Sequence, residues 1–285
     1  MIKIDRDLEV IKNQVDTLAP TWCSRAKKRS REINKKAVYA EKTSIWSEVK
    51  PVFMYLQRNR CIYCDRHIAS LRVGSVEHDL EHYRPKGRVT EEDGSHTNGY
   101  YWLAYDFENF AVACKTCNQG LKMDRFPILG TRGVALANVT TLNQTELPML
   151  IFPMVDNPDE YMIFDGVTPK PKFKRGLKYK RAKITIDFFR LADSEREELH
   201  DARTLAIVLL WNSIRTIELS TDIAEREQNL ELIKSMCSPE FPHSMCTKFF
   251  YALVKSNREK ARDYFLQAHK YVIRNSDKDL NYFPN

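Results

Sequence analysis

Apolar residues at Ile45, Val49, Val52, Phe53 and Leu56 recur three and four positions apart. That spacing lays one face of a helix against a core. It predicts a helix over 45–56 that delivers the chain to Cys61. Upstream, residues 1–40 read as helix containing a basic stretch, Arg25-Ala26-Lys27-Lys28-Arg29-Ser30-Arg31. The character changes at Cys61. Residues 61–130 are rich in Cys, His, Asn and aromatics, with turn signals at Gly74, Pro85-Lys86-Gly87 and Asp93-Gly94. Residues 131–183 read as loop with short extended pieces at 149–152 and 161–164. Pro148, Pro153, Pro158, Pro169 and Pro171 argue against a long helix there.

From Ala182 the helical pattern returns. Asp193-Ser194 reads as a helix start, with Glu195, Glu197 and Glu198 in the first turn. The apolar run 205–211 is expected to be buried in that helix. Amphipathic stretches follow at 221–236, 244–255 and 257–274, and no repeat of 20–50 residues is visible. The expected fold class is therefore α+β, mainly helical. A helical N-terminal arm (1–58) leads into a small module (59–130), a loop-rich bridge (131–181) and a C-terminal helical domain (182–285).

A composition of 43% hydrophobic and 29% charged residues is ordinary for a globular protein. No apolar run approaches the roughly 18 residues of a membrane span, and the N-terminus shows no signal-peptide core. The expectation is a cytoplasmic protein with no membrane partner. Charge sharpens the picture. Residues 1–60 hold 14 Lys and Arg against 7 Asp and Glu, which accounts for the whole net charge of +7. A second run, 170–183, holds eight Lys or Arg and no acid. Basic segments around a neutral middle suit a polyanion such as nucleic acid. Solvated helix faces and a solvated loop explain charge runs equally well.

Four of the seven cysteines form two C-x-x-C pairs, Cys61/Cys64 and Cys114/Cys117, separated by 49 residues (65 to 113). Each pair can place two thiolates on one metal, so a four-cysteine structural Zn2+ site is expected. Cys23, Cys237 and Cys246 read as buried or idle thiols. The intervening loop exceeds that of a small zinc ribbon, so something must be built inside it.

That loop contains Glu77-His78-Asp79-Leu80-Glu81-His82-Tyr83-Arg84-Pro85-Lys86, followed by Phe107-Glu108-Asn109-Phe110 and Cys114-Lys115-Thr116-Cys117-Asn118-Gln119-Gly120-Leu121-Lys122. The chemistry suits phosphodiester hydrolysis. A neutral imidazole can take the proton of an attacking water near pH 7. A carboxylate beside it and an amide oxygen from the next helix can hold a divalent cation. Two acid–His pairs are present, Glu77-His78 and Glu81-His82, and the Pro85-Lys86 context favours His82. His67 and His96 read as surface residues.

In order and spacing these blocks resemble the HNH nuclease family, also called the ββα-metal fold. Its pattern is C-x-x-C, Asp-His-x-x-Pro, Glu-Asn-Leu, then C-x-x-C-Asn-x-x-Lys. The resemblance covers about 65 residues of the chain. It implies His82 as general base, and Glu81 (Asp in most members) with Asn118 as ligands of a catalytic Mg2+ or Mn2+. It also implies Asn109 as the residue that holds the base-bearing loop, and Lys122 as a phosphate contact. Lys122 falls one position later than the family lysine, which would turn it by about 100° on an α-helix. Asn118 also suits a helix cap. Lys86 and Arg84 are candidate phosphate contacts, or merely solvated. Tyr100, Tyr101, Trp102 and Tyr105 read as packing aromatics, with base stacking as the alternative.

A narrower likeness is carried by Glu81 to Lys86, Tyr101-Trp102-Leu103-Ala104-Tyr105-Asp106-Phe107-Glu108-Asn109 and Asp124-Arg125-Phe126-Pro127. A softer part is Ala182-Lys183-Ile184-Thr185-Ile186 and the helix containing Arg203. These are similar to HNH nucleases of Septu-type and retron-associated anti-phage systems. That resemblance implies DNA, double-stranded, as substrate and an ATPase from a neighbouring gene as partner. The alternatives are a non-catalytic zinc-structured nucleic-acid-binding module and an RNA-directed nuclease.

Overall fold

A computed structural model describes residues 1–69 and 77–280, with side chains through 274. The turn expected at Gly74 lies outside the described residues. The chain forms two compact units, one of residues 3–158 with 180–189, the other of residues 1–2, 159–179 and 190–285. The expected arm and module thus share the first unit with most of the bridge.

The N-terminal helical stretch is two helices. α1 (Leu8–Leu18) is capped by Asp7, whose carboxylate accepts from the Glu9 and Val10 amides. The Ala19-Pro20 pair ends it. α2 (Trp22–Lys36) buries Trp22, Ala26 and Ile33 and stops at Ala37, which turns left-handed at φ 51°. The helix expected over 45–56 divides into a 3-10 turn (Trp46–Val49) and α3 (Lys50–Leu56). Pro51 explains the division. It lacks an N–H and is accommodated only in a first helical turn, so the α-helix begins there.

Three two-stranded antiparallel sheets follow the mainly helical expectation. β1 (His78–His82) pairs with β4 (Phe110–Cys114), with Glu81 opposite Ala111 and His82 opposite Phe110. β2 (Arg88–Thr90) pairs with β3 (His96–Asn98). Gly99 closes that hairpin against the backbone of residues 86–88. A Cβ there would meet backbone atoms at 2.6 Å, so only glycine fits. After β4 the chain winds as a π-helical turn, Thr116–Lys122.

Two expectations in the bridge are corrected. Residues 149–152 are buried but form no strand; the Ile151 amide donates to the Thr185 hydroxyl at 2.9 Å instead of to a sheet partner. Residues expected as loop form α4 (Val139–Glu146), capped by Asn138. Its Thr-rich sequence carries little apolar periodicity, which is why the pattern hid it. α5 (Leu177–Phe188) starts ahead of Ala182, so part of the basic run is helical.

The second unit holds the hairpin β5 (Met162–Asp165) and β6 (Thr168–Pro171), turning at Gly166 with φ 60°. Helices α6 (Glu197–Leu219), α7 (Ile223–Met236), α8 (Ser244–Ser256) and α9 (Arg258–Leu280) complete it. Asp193 accepts from the Glu195 amide in a turn, and α6 starts only after Arg196. Its apolar run is only partly buried. Ile207, Leu210 and Trp211 join the core with Met236, Cys246 and Phe250, while Leu205 and Leu209 face out. Among the described residues no helix is long and apolar enough to cross a membrane.

Candidate metal centre and active site

Cys61, Cys64, Cys114 and Cys117 are all buried, and their sulfur atoms lie within 4.8 Å of one another. The Cys64 and Cys114 sulfurs are 3.8 Å apart. Zn–S bonds of about 2.3 Å set a tetrahedral edge of roughly 3.8 Å, so four buried thiols at this spacing fit a zinc ion. Hydrogen bonds from Cys117, Cys61 and Cys64 hold the Cys114 thiol well below its ordinary range. The Cys114 amide also donates to the Cys61 sulfur at 3.3 Å. The cluster ties the loop before β1 to the end of β4 and the start of the π turn.

His82 ends β1, buried between the Trp46 and Phe110 rings, each edge-on with centroids 5.1 Å away. Its Nε2 lies 3.0 Å from the Ala104 carbonyl oxygen. A carbonyl only accepts, so Nε2 carries the proton and Nδ1 keeps the lone pair. Burial, reinforced by the Lys86 charge, pushes the imidazole pKa well below its usual value. The ring is therefore a neutral base at pH 7.

Glu81 lies beside it, also buried. Its Oε1 accepts from the Tyr63 hydroxyl at 3.0 Å and pairs with Lys122 Nζ at 2.7 Å. Lys122 is fully buried, and its ammonium also donates to the His82 carbonyl oxygen at 3.0 Å. One ammonium thus ties Glu81 to the backbone of His82. Cys117 and Lys122, five residues apart, are the buried residues of the π turn, so the i→i+5 winding carries both side chains inward. The structure places Lys122 inside the protein, bonded to Glu81, and not at a surface where a phosphate could reach it.

Asn118 is oriented by Asp79, whose Oδ2 accepts from Asn118 Nδ2 at 3.1 Å and from Gln119 Nε2 at 2.8 Å. With its NH2 group committed there, the Asn118 carbonyl oxygen is the end left for a cation. Asn109 is buried and pins the chain after His82. Its Oδ1 accepts from the Arg84 amide at 2.7 Å, and its Nδ2 donates to the Arg84 carbonyl at 2.9 Å. Arg84 itself faces inward. Its guanidinium pairs with buried Glu146 at 2.9 Å and donates to Asn143, leaving no exposed group for phosphate.

Leu80, Glu81, His82, Pro85, Lys86, Gly87, Arg88, Asn118, Met123 and Asp124 line one open cleft of about 250 Å³. The cleft brings together Glu81, His82, Asn118 and Lys86, and leaves Asn109 behind it as support. The Lys86 ammonium sits 4.5 Å from the Trp46 ring centroid, and burial lowers its pKa. His78, the rival base, is buried outside this cleft, with Nε2 3.0 Å from the Ala69 carbonyl oxygen. His67 and His96 are exposed, and Tyr100, Tyr101 and Tyr105 are packed inside. Sequence reading missed Tyr63, Asp79, Trp46 and Ala104. Only Asp79, polar on a strand beside the motif, carried a signal in the sequence.

No protein-family model matches the chain. The chain is similar to Septu protein PtuB of Bacillus mycoides (strain KBAB4), 29% identical over 195 residues. The alignment spans 65% of this chain and 62% of that relative, so the chain spans under two thirds of the relative's length.

Proposed function

We propose that this chain is a metal-dependent endonuclease of the HNH class that hydrolyses DNA phosphodiester bonds as the effector of an anti-phage defence system. The observation that carries the reading is the cleft where a neutral, oriented His82 meets Glu81 and the Asn118 amide oxygen. In this account a water attacks phosphorus and His82 Nδ1 takes its proton. The bond from phosphorus to the leaving oxygen breaks, and that oxygen is protonated from solvent. Glu81 and Asn118 would hold a Mg2+ or Mn2+, which would supply positive charge against the scissile phosphate and leaving oxygen. Lys86 lies in the same cleft, where it meets a phosphate oxygen. Asn109 holds the loop that fixes His82 and Lys86 relative to each other.

The defence role and a partner ATPase rest on the likeness to Septu protein PtuB together with the motifs around Glu81 and Asn109. A cytoplasmic location goes with that role. One observation favours a second reading, a zinc-structured nucleic-acid-binding module without catalysis. Tyr63 and Lys122 already engage one oxygen of Glu81, Oε1, the side chain that would hold the cation.

Incubation with supercoiled plasmid and Mg2+ or Mn2+, with and without the neighbouring ATPase, separates the two. Wild-type nicking or linearisation that is lost in His82→Ala supports the nuclease. Cleavage retained by His82→Ala moves the base elsewhere. Binding without cleavage under every condition favours the second reading, and cleavage confined to RNA redirects the substrate.

A further inference from the structure

The α2 helix carries seven cations, Arg25, Lys27, Lys28, Arg29, Arg31, Lys35 and Lys36, against one acid, Glu32. Two of the seven are used internally. Arg25 pairs with Glu48 at 2.5 Å and Arg29 with Glu41 at 3.1 Å. At about 100° per residue, Lys27, Lys28, Arg31 and Lys35 fall in one stripe, opposite the buried Trp22, Ala26 and Ile33. All four are exposed, and none has an acidic partner among the described residues. The stripe runs about 12 Å along the helix at the usual rise per residue.

A solvated helix face is normally mixed in sign, and other helices of this protein follow that rule. Lys183 pairs with Asp187 at 2.7 Å, Lys234 with Glu231 at 2.5 Å and Arg215 with Glu218 at 3.3 Å. The α2 stripe instead sets Lys27, Arg31 and Lys35 four residues apart, a spacing at which like charges destabilise a helix.

The stripe is also held in place relative to the cleft, within the same unit. Trp22 stacks on Phe107 with centroids 5.2 Å apart and meets the Tyr105 ring at 6.1 Å. Tyr105 packs against Trp46, and Trp46 against His82. Arg29 donates to the Tyr105 hydroxyl from the same helix.

We infer that Lys27, Lys28, Arg31 and Lys35 form a backbone-tracking surface that binds the phosphates of double-stranded DNA. The choice of DNA rests on the nuclease reading above; the stripe itself rests on charge and geometry. Contacts of this kind go to phosphate oxygens, so they fix the duplex in place without selecting a sequence.

The test uses the full chain carrying His82→Ala, so that cleavage cannot interfere, and a labelled duplex titrated by fluorescence anisotropy from about 50 to 200 mM salt. Adding Lys27→Glu and Arg31→Glu should weaken binding at least about tenfold. It should also make the log–log salt slope shallower by roughly two, one phosphate contact per cation. The fold should survive, because both side chains are exposed, and thermal melting checks this. Reversing Lys174 and Arg175, exposed cations of the second unit, should have the smaller effect. Affinity unchanged by the α2 substitutions, or equally weakened by the Lys174 and Arg175 pair, overturns the stripe and leaves the nuclease reading intact. A larger loss on single strands or RNA than on duplex overturns the choice of DNA. Failure of the His82→Ala parent to bind any nucleic acid overturns both.

Discussion

Lys122 shows how much one buried side chain can organise. Its ammonium serves Glu81 and the His82 carbonyl together, at zero exposure. Removing one partner of a buried ion pair strands the other charge and costs about 3–5 kcal/mol. Lys122→Met should therefore lose about that much in urea unfolding. The double change Lys122→Met with Glu81→Leu should recover most of it, because neither charge then stays buried alone. A single variant as stable as wild type would show that Glu81 finds another partner. His82 gives a pH prediction. Burial lowers its pKa in the folded protein, so the neutral base persists below the ordinary imidazole value near 6.5. Cleavage measured as kcat/KM should stay flat from alkaline pH down to about 6.5 and fall only as pH drops through the lowered value. The same sign governs stability: below about 6.5 the unfolded chain takes up a proton that the buried ring refuses, so stability declines with acid. An acid limb at or above 6.5 would mean that His82 is not the buried, neutral base.

Among the elements, the four-cysteine cluster joins the segment after α3 to the end of β4 and the start of the π turn. β1 and β4 form only a two-stranded sheet, and such pairs are marginal alone. A zinc ion held by Cys61, Cys64, Cys114 and Cys117 would supply folding free energy to this small sheet. Chelation, or Cys61→Ser, should release amide protection in β4, read by hydrogen exchange with mass spectrometry. Protection in β4 that is unchanged by complete zinc removal would show that side-chain packing alone holds the module. The π turn belongs to this scale as well. Its winding carries Lys122 inward, where the side chain pairs with Glu81.

Across the whole molecule, the second unit has a core cluster of its own, so losing the metal should be a local event. The second unit packs Ile207, Leu210, Trp211, Met236 and Phe250 with no metal-ligating cluster among its described residues. In the same exchange experiment, amides of α6 and α8 should keep their protection while those of β4 lose it. Parallel loss in both would mean that the units unfold as one cooperative body. The sequence by itself determined the local chemistry: the C-x-x-C pairs, the Glu81-His82 and Cys117-Asn118 motifs, the mainly helical class and the basic N-terminal segment. Those signals sit in adjacent residues or in helical periodicity, and local pattern is what a sequence records directly. Tertiary structure decided the rest. It turned Arg84 and Lys122 inward to Glu146 and Glu81 because buried carboxylates distant in sequence need cations. It oriented Asn118 through Asp79 and fixed the His82 tautomer through Ala104, a carbonyl that any residue at that position would offer. It also placed α4 where the sequence had no apolar rhythm, because burial there is achieved through Val139, Leu142 and the ion-paired Glu146 rather than a repeating face.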